Sequence, residues 1–372
     1  MRELHKLCSF LFIFFYDFKL LNSYFFRKRK LIILGVHSAT SSFSARSFIV
    51  MGHFNAKFLT KGLVLSSLVA SAMMISGCAK KEAETITFNV GFQKYGLLPI
   101  LKERGTLETA LKEQGVNVKW VEFPAGPQLL EGLNVGSVVF GEVGEAPPIF
   151  AQAAKTDLVY IANQPAVPKA EALIVPKDSN IKTIQDIKGK RVALNKGSNV
   201  HYLLLKLLEA NNLKFSDIEV VYLPPADARA AFERGAVDAW VIWDPFLSAA
   251  EHQLNARTIT NGENLVQNYQ FYLADRKFAE SHPQVIKAVV NELNLTTQWV
   301  STHQDEAVKL LEAKTGLGAD VLKTSISRLG DKVTEVTPEV IEEQQKVADA
   351  FYSQQLIPNK LNIQSAILKT AK

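Results

Sequence analysis

Short apolar runs alternate with amphipathic segments along most of the chain. Apolar runs such as residues 86–93 and 116–123 predict strands, because they are short, rich in β-branched and aromatic residues and bounded by turn signals. The segment between them, residues 97–114, predicts one helix that ends at Gly115. Strands that alternate with helices indicate an α/β fold with mainly parallel sheets. After Phe278 only helical patterns follow, which favours a helical C-terminal end packed around an existing lobe.

The alternation falls into two α/β blocks, at roughly residues 86–169 and 176–268. Two connections, near residues 171–176 and 269–274, predict hinge strands that join the blocks. The chain is long enough to build two lobes with their own cores. We therefore predict an α/β protein of two lobes, with the following limits: residues 86–172 together with 272–372 for lobe 1, and residues 173–271 for lobe 2.

Residues 191–212 predict a strand, a tight turn and a helix. The apolar face of the helix consists of Val200, Leu203, Leu204, Leu207 and Leu208. Gly197 allows the sharp turn, and Ser198 or Asn199 is a suitable N-cap. The first backbone N–H groups of the helix would then point toward the strand end and, with the helix dipole, form an anion site. The alternative is an ordinary capped helix of an α/β domain.

Residues 51–77 predict a secretory signal peptide of the lipoprotein type. Lys57 and Lys61 form a basic beginning, a short apolar region follows, and small residues precede Cys78. This ending resembles a bacterial lipobox, in which the cysteine becomes lipidated and is the first mature residue. Residues 78–85 then form a polar tether. The alternative is a plain signal peptide with a chance cysteine.

Residues 1–50 precede this signal and show no sustained period, so we interpret them as an over-extended N-terminus, with Met51 where a signal peptide normally begins. The alternative, a membrane segment at residues 10–16, is well short of the ~20 residues that a span needs. The whole chain has a formal net charge of +5, but residues 78–372 alone have a net charge of −3. The basic balance therefore does not indicate a nucleic-acid partner.

Few residues suit catalysis or metal binding. Cys8 and Cys78 are the only cysteines, so a lipidated Cys78 excludes a cysteine nucleophile, a disulfide and a cysteine-based metal site. The sequence has no G-x-S-x-G, P-loop, G-x-G-x-x-G or H-E-x-x-H motif, and no cluster of His, Asp and Glu residues has the spacing of metal ligands. His201 with Glu145 is the acid–base pair of a cleft-enzyme alternative, but a solvated first-turn histidine is the favoured interpretation. We expect no enzyme activity, no cofactor and no metal.

If the two blocks face each other, the loops at the carboxyl ends of their strands line the cleft between them. Two of these loops are glycine turns into helix N-termini, one in each block, so two helix ends could hold one anion from both sides. Gln93 offers a neutral donor. Trp243 and Tyr95 offer apolar walls, although both also suit simple core packing. Glu145 and Asp244 suit a cap or first-turn charge.

Several long stretches resemble the aliphatic-sulfonate-binding proteins of bacterial ABC importers, which are relatives of the taurine- and nitrate-binding ones. The resemblance covers about residues 87–361 and is carried by VEFPAGPQLLEGLNVGSVVFGEVGEAPPIFAQAA, KAEALIVPKDS, GKRVALNKGSNVHYLLLKLLEANNL, LPPADARAAFERGAVDAWVIWDPF and QFYLADRKFAESHP. It implies a type II periplasmic-binding-protein fold, with two α/β lobes joined by two hinge strands and helical C-terminal packing. It also implies a permease and an ATPase as partners.

The ligand site of the family maps onto Gln93 and the GEAPP, GSNV and WDP turns of this chain. With Tyr95 added from the cleft loops, the candidate ligand-binding residues are Gln93, Tyr95, Gly144, Glu145, Ala146, Gly197, Ser198, Asn199, Val200, Trp243 and Asp244. The GEAPP turn departs from the family, which commonly has an aspartate there. Glu145 therefore brings a longer acidic side chain into the cleft region.

The resemblance implies an alkanesulfonate as the ligand. A sulfonate stays singly charged at any biological pH, and its three oxygens need several hydrogen-bond donors. Taurine, nitrate or a pyrimidine precursor are alternative ligands for the same fold. We expect a monomer that a lipid anchor at Cys78 holds to a membrane, in the periplasm or at the cell surface.

Overall fold

The computed structural model describes residues 85–368, and two five-stranded sheets organise this part of the chain. The first sheet has the order β2-β1-β3-β10-β4 and the second has the order β7-β6-β8-β5-β9. In each sheet four strands run in the same direction, and one strand, β10 or β5, runs antiparallel to both of its neighbours. The strands are β1 (Ile86–Phe92), β2 (Val116–Glu122), β3 (Phe140–Gly144), β4 (Leu158–Gln164), β5 (Glu171–Val175), β6 (Arg191–Leu194), β7 (Glu219–Tyr222), β8 (Ala239–Trp243), β9 (Arg257–Asn261) and β10 (Gln270–Asp275).

Helices cover the sheets and form three apolar cores. The helices are α1 (Leu98–Arg104), α2 (Thr106–Lys112), α3 (Gly126–Asn134), α4 (Pro147–Ala153), α5 (Asn199–Ala210), α6 (Pro225–Glu233), α7 (Phe246–Leu254), α8 (Arg276–Ser281), α9 (Pro283–Thr302), α10 (Gln304–Thr315), α11 (Ala319–Ser327) and α12 (Pro338–Ser353). One core lies between the first sheet and α1, α2, α9 and α10, and another between the second sheet and α6 and α7. The third joins the lobes, because Val143 and Ile149 share it with Val200, Leu203 and Phe351.

The single helix predicted for residues 97–114 is wrong, because the chain forms two helices there. Gly105 separates α1 from α2 and has a left-handed backbone, with φ at 65°. Its N–H donates to the carbonyls of Leu101 and Lys102, which is the usual way that a glycine ends a helix. The apolar period continues on both sides of Gly105, so the pattern alone concealed the break.

The predicted α/β class with two lobes is confirmed, but the chain crosses between the lobes at other residues. The crossing segments are residues 165–170, between β4 and β5, and residues 262–269, between β9 and β10. Most of the predicted hinge residues, 171–176 and 269–274, instead form β5 and β10 inside the sheets. Apolar runs mark buried strands, whereas the crossing segments have no period that a pattern could reveal. The lobe limits given above stay a prediction.

None of the helices in the described part of the chain combines the length and apolar character needed to cross a membrane. Three predictions lie outside residues 85–368: the over-extended N-terminus, the signal peptide and lipidation at Cys78. Most of the predicted tether also lies there. These four remain predictions from the sequence.

Candidate functional site

A small cavity lies between the two sheets, at the carboxyl ends of their parallel strands. Both lobes and both crossing segments contribute to its lining. The lining residues are Gln93, Tyr95, Gly126, Glu142, Gly144, Pro147, Ala170, Ser198, Asn199, Trp243, Asn268 and Gln270. The cavity has a volume of about 30 Å³, which is room for about two water molecules. The lobes must therefore move apart to admit a ligand with an alkyl tail.

The turn at residues 197–200 forms the lobe 2 side of the cavity. Ser198 occupies the N-cap position of α5, but its hydroxyl does not cap the helix. The hydroxyl donates instead to the backbone carbonyl of Asn195 at 2.7 Å. Among the described residues, no acceptor bonds the backbone N–H groups of Asn199 and Val200. These free N–H groups, with the helix dipole behind them, make this helix end suitable for an oxyanion.

His201 lies behind this turn and supports it. The backbone N–H of Gly197, whose φ is 75°, donates to the ring Nδ1 of His201 at 3.3 Å. The ring is fully buried among four aromatic side chains, those of Phe150, Phe215, Tyr222 and Phe351. Burial lowers the pKa of His201 to about 4, so the ring is neutral at physiological pH. The prediction of a solvated first-turn histidine is therefore wrong.

The turn at residues 144–148 forms the lobe 1 side of the cavity and has fewer free donors. The backbone N–H of Ala146 donates to Asn199 Oδ1 at 3.2 Å. Pro147 and Pro148, in the first turn of α4, have no N–H to offer. This arrangement does not support the expectation that two helix ends hold one anion from both sides.

Gly144 allows lobe 2 to approach lobe 1 at the edge of the cavity. A Cβ atom at residue 144 would lie 2.1 Å from Nδ2 and 2.2 Å from Oδ1 of Asn199. Real Cβ atoms do not come that close to other heavy atoms, so a side chain here would push Asn199 away. The Asn199 amide also donates to the side chain of Asn268, in the second crossing segment. Asn199 thus connects lobe 2 to lobe 1 and to the crossing segment.

Glu145 lies next to Gly144 but does not line the cavity. Its carboxylate is buried and accepts the backbone N–H of Tyr269 at 3.1 Å, while its backbone carbonyl accepts the side chain of Gln344 at 2.7 Å. Burial raises the pKa of Glu145 to about 7. The side chain therefore contacts the second crossing segment, and the backbone of the same residue contacts α12.

Trp243 and Asp244 are neighbours at the end of β8 but have different surroundings. Trp243 lines the cavity, as does Tyr95, whose hydroxyl donates to the backbone carbonyl of Arg328 at 3.1 Å. Asp244 is fully buried; it accepts the backbone N–H of Ser248 at 3.0 Å and pairs with Arg328 Nη1 at 3.3 Å. Burial raises the pKa of Asp244, although Arg328 opposes the shift. These contacts give Asp244 a structural role behind the cavity.

Glu142 is the acidic side chain of the cavity lining. One of its oxygens accepts the backbone N–H groups of Leu97 and Leu98 at 3.1 and 3.2 Å. The side-chain amide of Gln93 donates to its backbone carbonyl at 3.0 Å. Within residues 85–368, no group of three or more His, Cys, Asp or Glu side chains could hold a metal ion.

Six of the eleven candidate residues line the cavity: Gln93, Tyr95, Gly144, Ser198, Asn199 and Trp243. The other five are not lining residues themselves but are chain neighbours of lining residues: Glu145, Ala146, Gly197, Val200 and Asp244. The candidate set lacked six lining residues: Gly126, Glu142, Pro147, Ala170, Asn268 and Gln270. One of these had a usable signal, because an acidic residue within an apolar strand run, such as Glu142, needs a reason to be there. The ligand-binding role of the whole set stays a prediction.

Two sheets of one strand order, two crossing segments and a cavity at the strand ends define a two-lobed binding protein of the type II periplasmic fold. The chain belongs to the family described as NMT1/THI5 like, whose sequence model matches residues 100–307. Among curated proteins, it is 43% identical over 288 residues to the "Putative aliphatic sulfonates-binding protein" of Escherichia coli (strain K12). That match covers 77% of this chain and 90% of the relative.

Solved structures agree with this assignment. The alkanesulfonate-binding protein SsuA from Xanthomonas axonopodis pv. citri, bound to MOPS, is 39% identical with a TM-score of 0.73, and the match covers 77% of this chain and 99% of that one. The periplasmic aliphatic sulphonate binding protein SsuA from Escherichia coli is 41% identical with a TM-score of 0.69, covering 76% and 98%. Both structures confirm the predicted fold and family.

Proposed function

We propose that this chain is the extracytoplasmic solute-binding component of an ABC importer and binds alkanesulfonates between its two lobes. The observation that carries the proposal is the helix end with free N–H groups at Asn199 and Val200, because Asn199 lines a cavity that has Trp243 and Tyr95 in its walls. An oxyanion-binding end beside aromatic walls matches a ligand with a charged head and an apolar tail. The similarity to alkanesulfonate-binding proteins supports the same ligand class.

The proposed site needs no buried cation. Hydrogen bonds to a charged group are worth roughly 1.5–3 kcal/mol each, and backbone N–H groups supply them in a fixed geometry. The sulfonate would accept the N–H groups of Asn199 and Val200, and its alkyl tail would lie on Trp243. Binding between the lobes shifts the population toward the closed state, because only that state brings both lobes into contact with the ligand.

The closed complex would then deliver its ligand to a permease driven by an ATPase. Lipidation at Cys78 would keep the protein near that permease, in the periplasm or at the cell surface. We propose that the chain acts as a monomer, since one chain supplies the whole lining of the cavity.

The proposed role is binding rather than catalysis. The enzyme alternative pairs His201 with Glu145, but both side chains lie behind the cavity lining. His201 Nδ1 already accepts the N–H of Gly197, and its ring is buried among aromatic side chains. A sulfonate incubated with the protein should be recovered unchanged, and its conversion to another compound would contradict the proposal.

Calorimetric titration with a ligand panel tests the proposal. The panel contains linear alkanesulfonates of increasing length, taurine, nitrate and a pyrimidine precursor. We expect one alkanesulfonate to bind per chain, and tightest binding by nitrate or the pyrimidine would contradict the ligand assignment. Trp243→Ala should weaken alkanesulfonate binding about 10-fold to 100-fold, because it removes apolar surface from the tail.

Matched variants separate site effects from general effects. Ser198→Ala should weaken binding about fivefold, because the Ser198 hydroxyl fixes the turn through the Asn195 carbonyl. Ser301 makes the same type of bond, at 2.7 Å to the carbonyl three residues before it, but it is exposed on α9. Ser301→Ala and Trp299→Ala, both on α9, should leave affinity unchanged. Unchanged affinity in Ser198→Ala combined with Trp243→Ala would show that the site lies elsewhere.

A further inference from the structure

The lining of the cavity contains an acidic side chain and no basic one, which is the opposite of what an anion site usually needs. It contains one acidic side chain, Glu142, and no lysine, arginine or histidine. Arg328, whose backbone carbonyl accepts the hydroxyl of the lining residue Tyr95, has its guanidinium paired with Asp244 at 3.3 Å and with Glu251 at 3.0 Å. A second fully buried acid, Glu171, follows the lining residue Ala170 and has no bonded partner among the described residues on either oxygen. An ionised carboxylate in this lining would repel a sulfonate.

The two carboxyl oxygens of Glu142 have different surroundings, and one of them has no hydrogen-bond partner among the described residues. It lies on β3, lines the cavity and is only 3% exposed. Its Oε2 accepts two backbone N–H groups, from Leu97 and Leu98. Its Oε1 is buried and has no hydrogen-bond partner among the described residues. A proton on this carboxyl group therefore belongs on Oε1, since Oε2 already accepts two donors.

We propose that Glu142 binds the sulfonate as a neutral carboxylic acid, with its Oε1–H donating to a sulfonate oxygen. This inference rests on the proposed function and assigns one more donor to the same site. A sulfonate does not take up a proton at biological pH, so its oxygens only accept hydrogen bonds, and each protein group that bonds them must be a donor. A neutral carboxylic acid supplies such a donor without burying a cation. Sulfonate binding then requires that the Glu142 carboxyl group keeps its proton.

The groups around Glu142 favour its neutral form. Burial raises the pKa of Glu142 to about 8, although the two N–H donors and the Tyr272 hydroxyl oppose the shift. Tyr272, opposite Glu142 on β10, and Tyr95 both have a pKa raised by burial, so both stay neutral. Asp244 and Glu171, which also face Tyr95, carry the same sign of charge as Glu142, and Arg328 is the cation of this group. A carboxyl group kept neutral in an apolar site is a known way to provide a hydrogen-bond donor.

Titration with ethanesulfonate between pH 6.5 and pH 9.5 tests the inference. The affinity of the unaltered protein should be constant to about pH 7.5 and then fall about tenfold per pH unit, because only the protonated fraction donates. Glu142→Gln should bind within about threefold of the unaltered protein at pH 6.5 and show no such fall, since an amide donates without a titrating proton. Glu292→Gln, which removes a buried glutamate from α9, should keep the unaltered profile.

The outcomes separate this inference from the proposed function. Absence of binding by the unaltered protein at pH 6.5 would overturn both. Binding of ethanesulfonate at pH 6.5 with an affinity that stays constant to pH 9.5 would overturn the neutral-acid role alone. Tighter binding of taurine at high pH would also overturn that role, because an ionised Glu142 would then pair with the ammonium group of taurine. Infrared difference spectra of the complex give an independent readout. They should show the carbonyl stretch of a protonated acid that Glu142→Gln lacks, and its absence from the unaltered protein would also overturn the role.

Discussion

The two glycine turns at the cavity, one from each lobe, both lead into a helix but differ in the backbone N–H groups that they leave free. The turn at residues 197–200 leads into α5 and leaves the N–H groups of Asn199 and Val200 without acceptors among the described residues. The turn at residues 144–148 leads into α4, but the N–H of Ala146 is bonded to Asn199 and the two prolines that follow have no N–H. One turn therefore supplies donors, and the other supplies the close fit that lets the lobes meet.

This difference shows that a helix N-terminus is an anion site only when its N–H groups are free. The helices α5 and α4 both begin at the cavity, through Asn199 and Pro147, but only α5 begins with N–H groups that have no acceptor among the described residues. Gly144 has a separate importance, because Asn199 occupies the space that a side chain at residue 144 would fill. The variants below test this division of roles.

The largest effect is expected for Gly144→Ala. The added Cβ would overlap the Asn199 amide, so the Asn199 side chain must leave its bonds to Ala146 and Asn268 or the lobes must stay further apart at the cavity edge. We expect ethanesulfonate affinity to fall about 100-fold, equivalent to about 2.7 kcal/mol, because the binding-competent population shrinks. Isothermal calorimetry measures the affinity.

Two further variants show whether the Gly144→Ala effect comes from Asn199. Gly318→Ala is the control, because a Cβ there meets no atom within 4 Å and needs no left-handed backbone. Adding Asn199→Ala to Gly144→Ala should restore part of the lost affinity, since it removes the overlapping amide. A double variant as weak as Gly144→Ala, or weaker, would show that the overlap is not the cause.

A smaller effect is expected for Asn199→Ala alone. This change removes the contacts of the side chain with the Ala146 N–H and with Asn268, but it keeps the backbone N–H groups of α5. We expect ethanesulfonate affinity to fall about tenfold, mainly through faster dissociation, because the closed state loses two hydrogen bonds. Stopped-flow kinetics can separate the two rate constants. An effect on the association rate alone would contradict this role.

The smallest effect on affinity is expected for Glu145→Gln, because Glu145 faces away from the cavity lining. Affinity should stay within about twofold at pH 7. The effect on stability should be clear: burial raises the pKa of Glu145 from 4.5 to about 7, so the folded state binds more protons than the unfolded state between these pH values. The contribution of Glu145 to the free energy of unfolding therefore decreases as the pH rises, by up to about 1.4 kcal/mol per pH unit.

Urea unfolding at pH 5 and pH 8 measures this effect as a difference between the two proteins. The unaltered protein should lose about 2 kcal/mol more than Glu145→Gln over that range. His201 shifts stability in the opposite direction below pH 6.5, because burial lowers its pKa to about 4, but it is present in both proteins and cancels. Equal pH dependence in the two proteins would show that Glu145 is not buried as a neutral acid.

The sequence predicted the α/β class and the cavity-lining turns because both follow from local pattern. The strand ends at Leu194 and Trp243 are neighbours in the second sheet, so their turns must share one edge, and the turn after Gly144 lies at the corresponding edge of the first sheet. The sequence pattern did not predict the helix break at Gly105, because the apolar period continues through that residue. It did not predict the positions of the crossing segments either, because those segments have no apolar period.

The parts of the site that the sequence did not predict depend on contacts between distant segments. Asn268 and Gln270 reach the lining only because the second crossing segment returns to lobe 1. Asp244 looked like a cleft residue from its position after Trp243, but Arg328, which is 84 residues away, holds it behind the lining. Such pairings are set by tertiary packing, which a local pattern does not contain.

The structure of the ethanesulfonate complex is the most direct test of the proposed site. The anomalous signal of the ligand sulfur would locate the sulfonate. We predict sulfonate oxygens within about 3.2 Å of the backbone nitrogens of Asn199 and Val200, with the ethyl group on Trp243. A sulfonate bound only at the 144–148 turn, or outside the cavity between the lobes, would contradict the assignment of the donor role to the 197–200 turn.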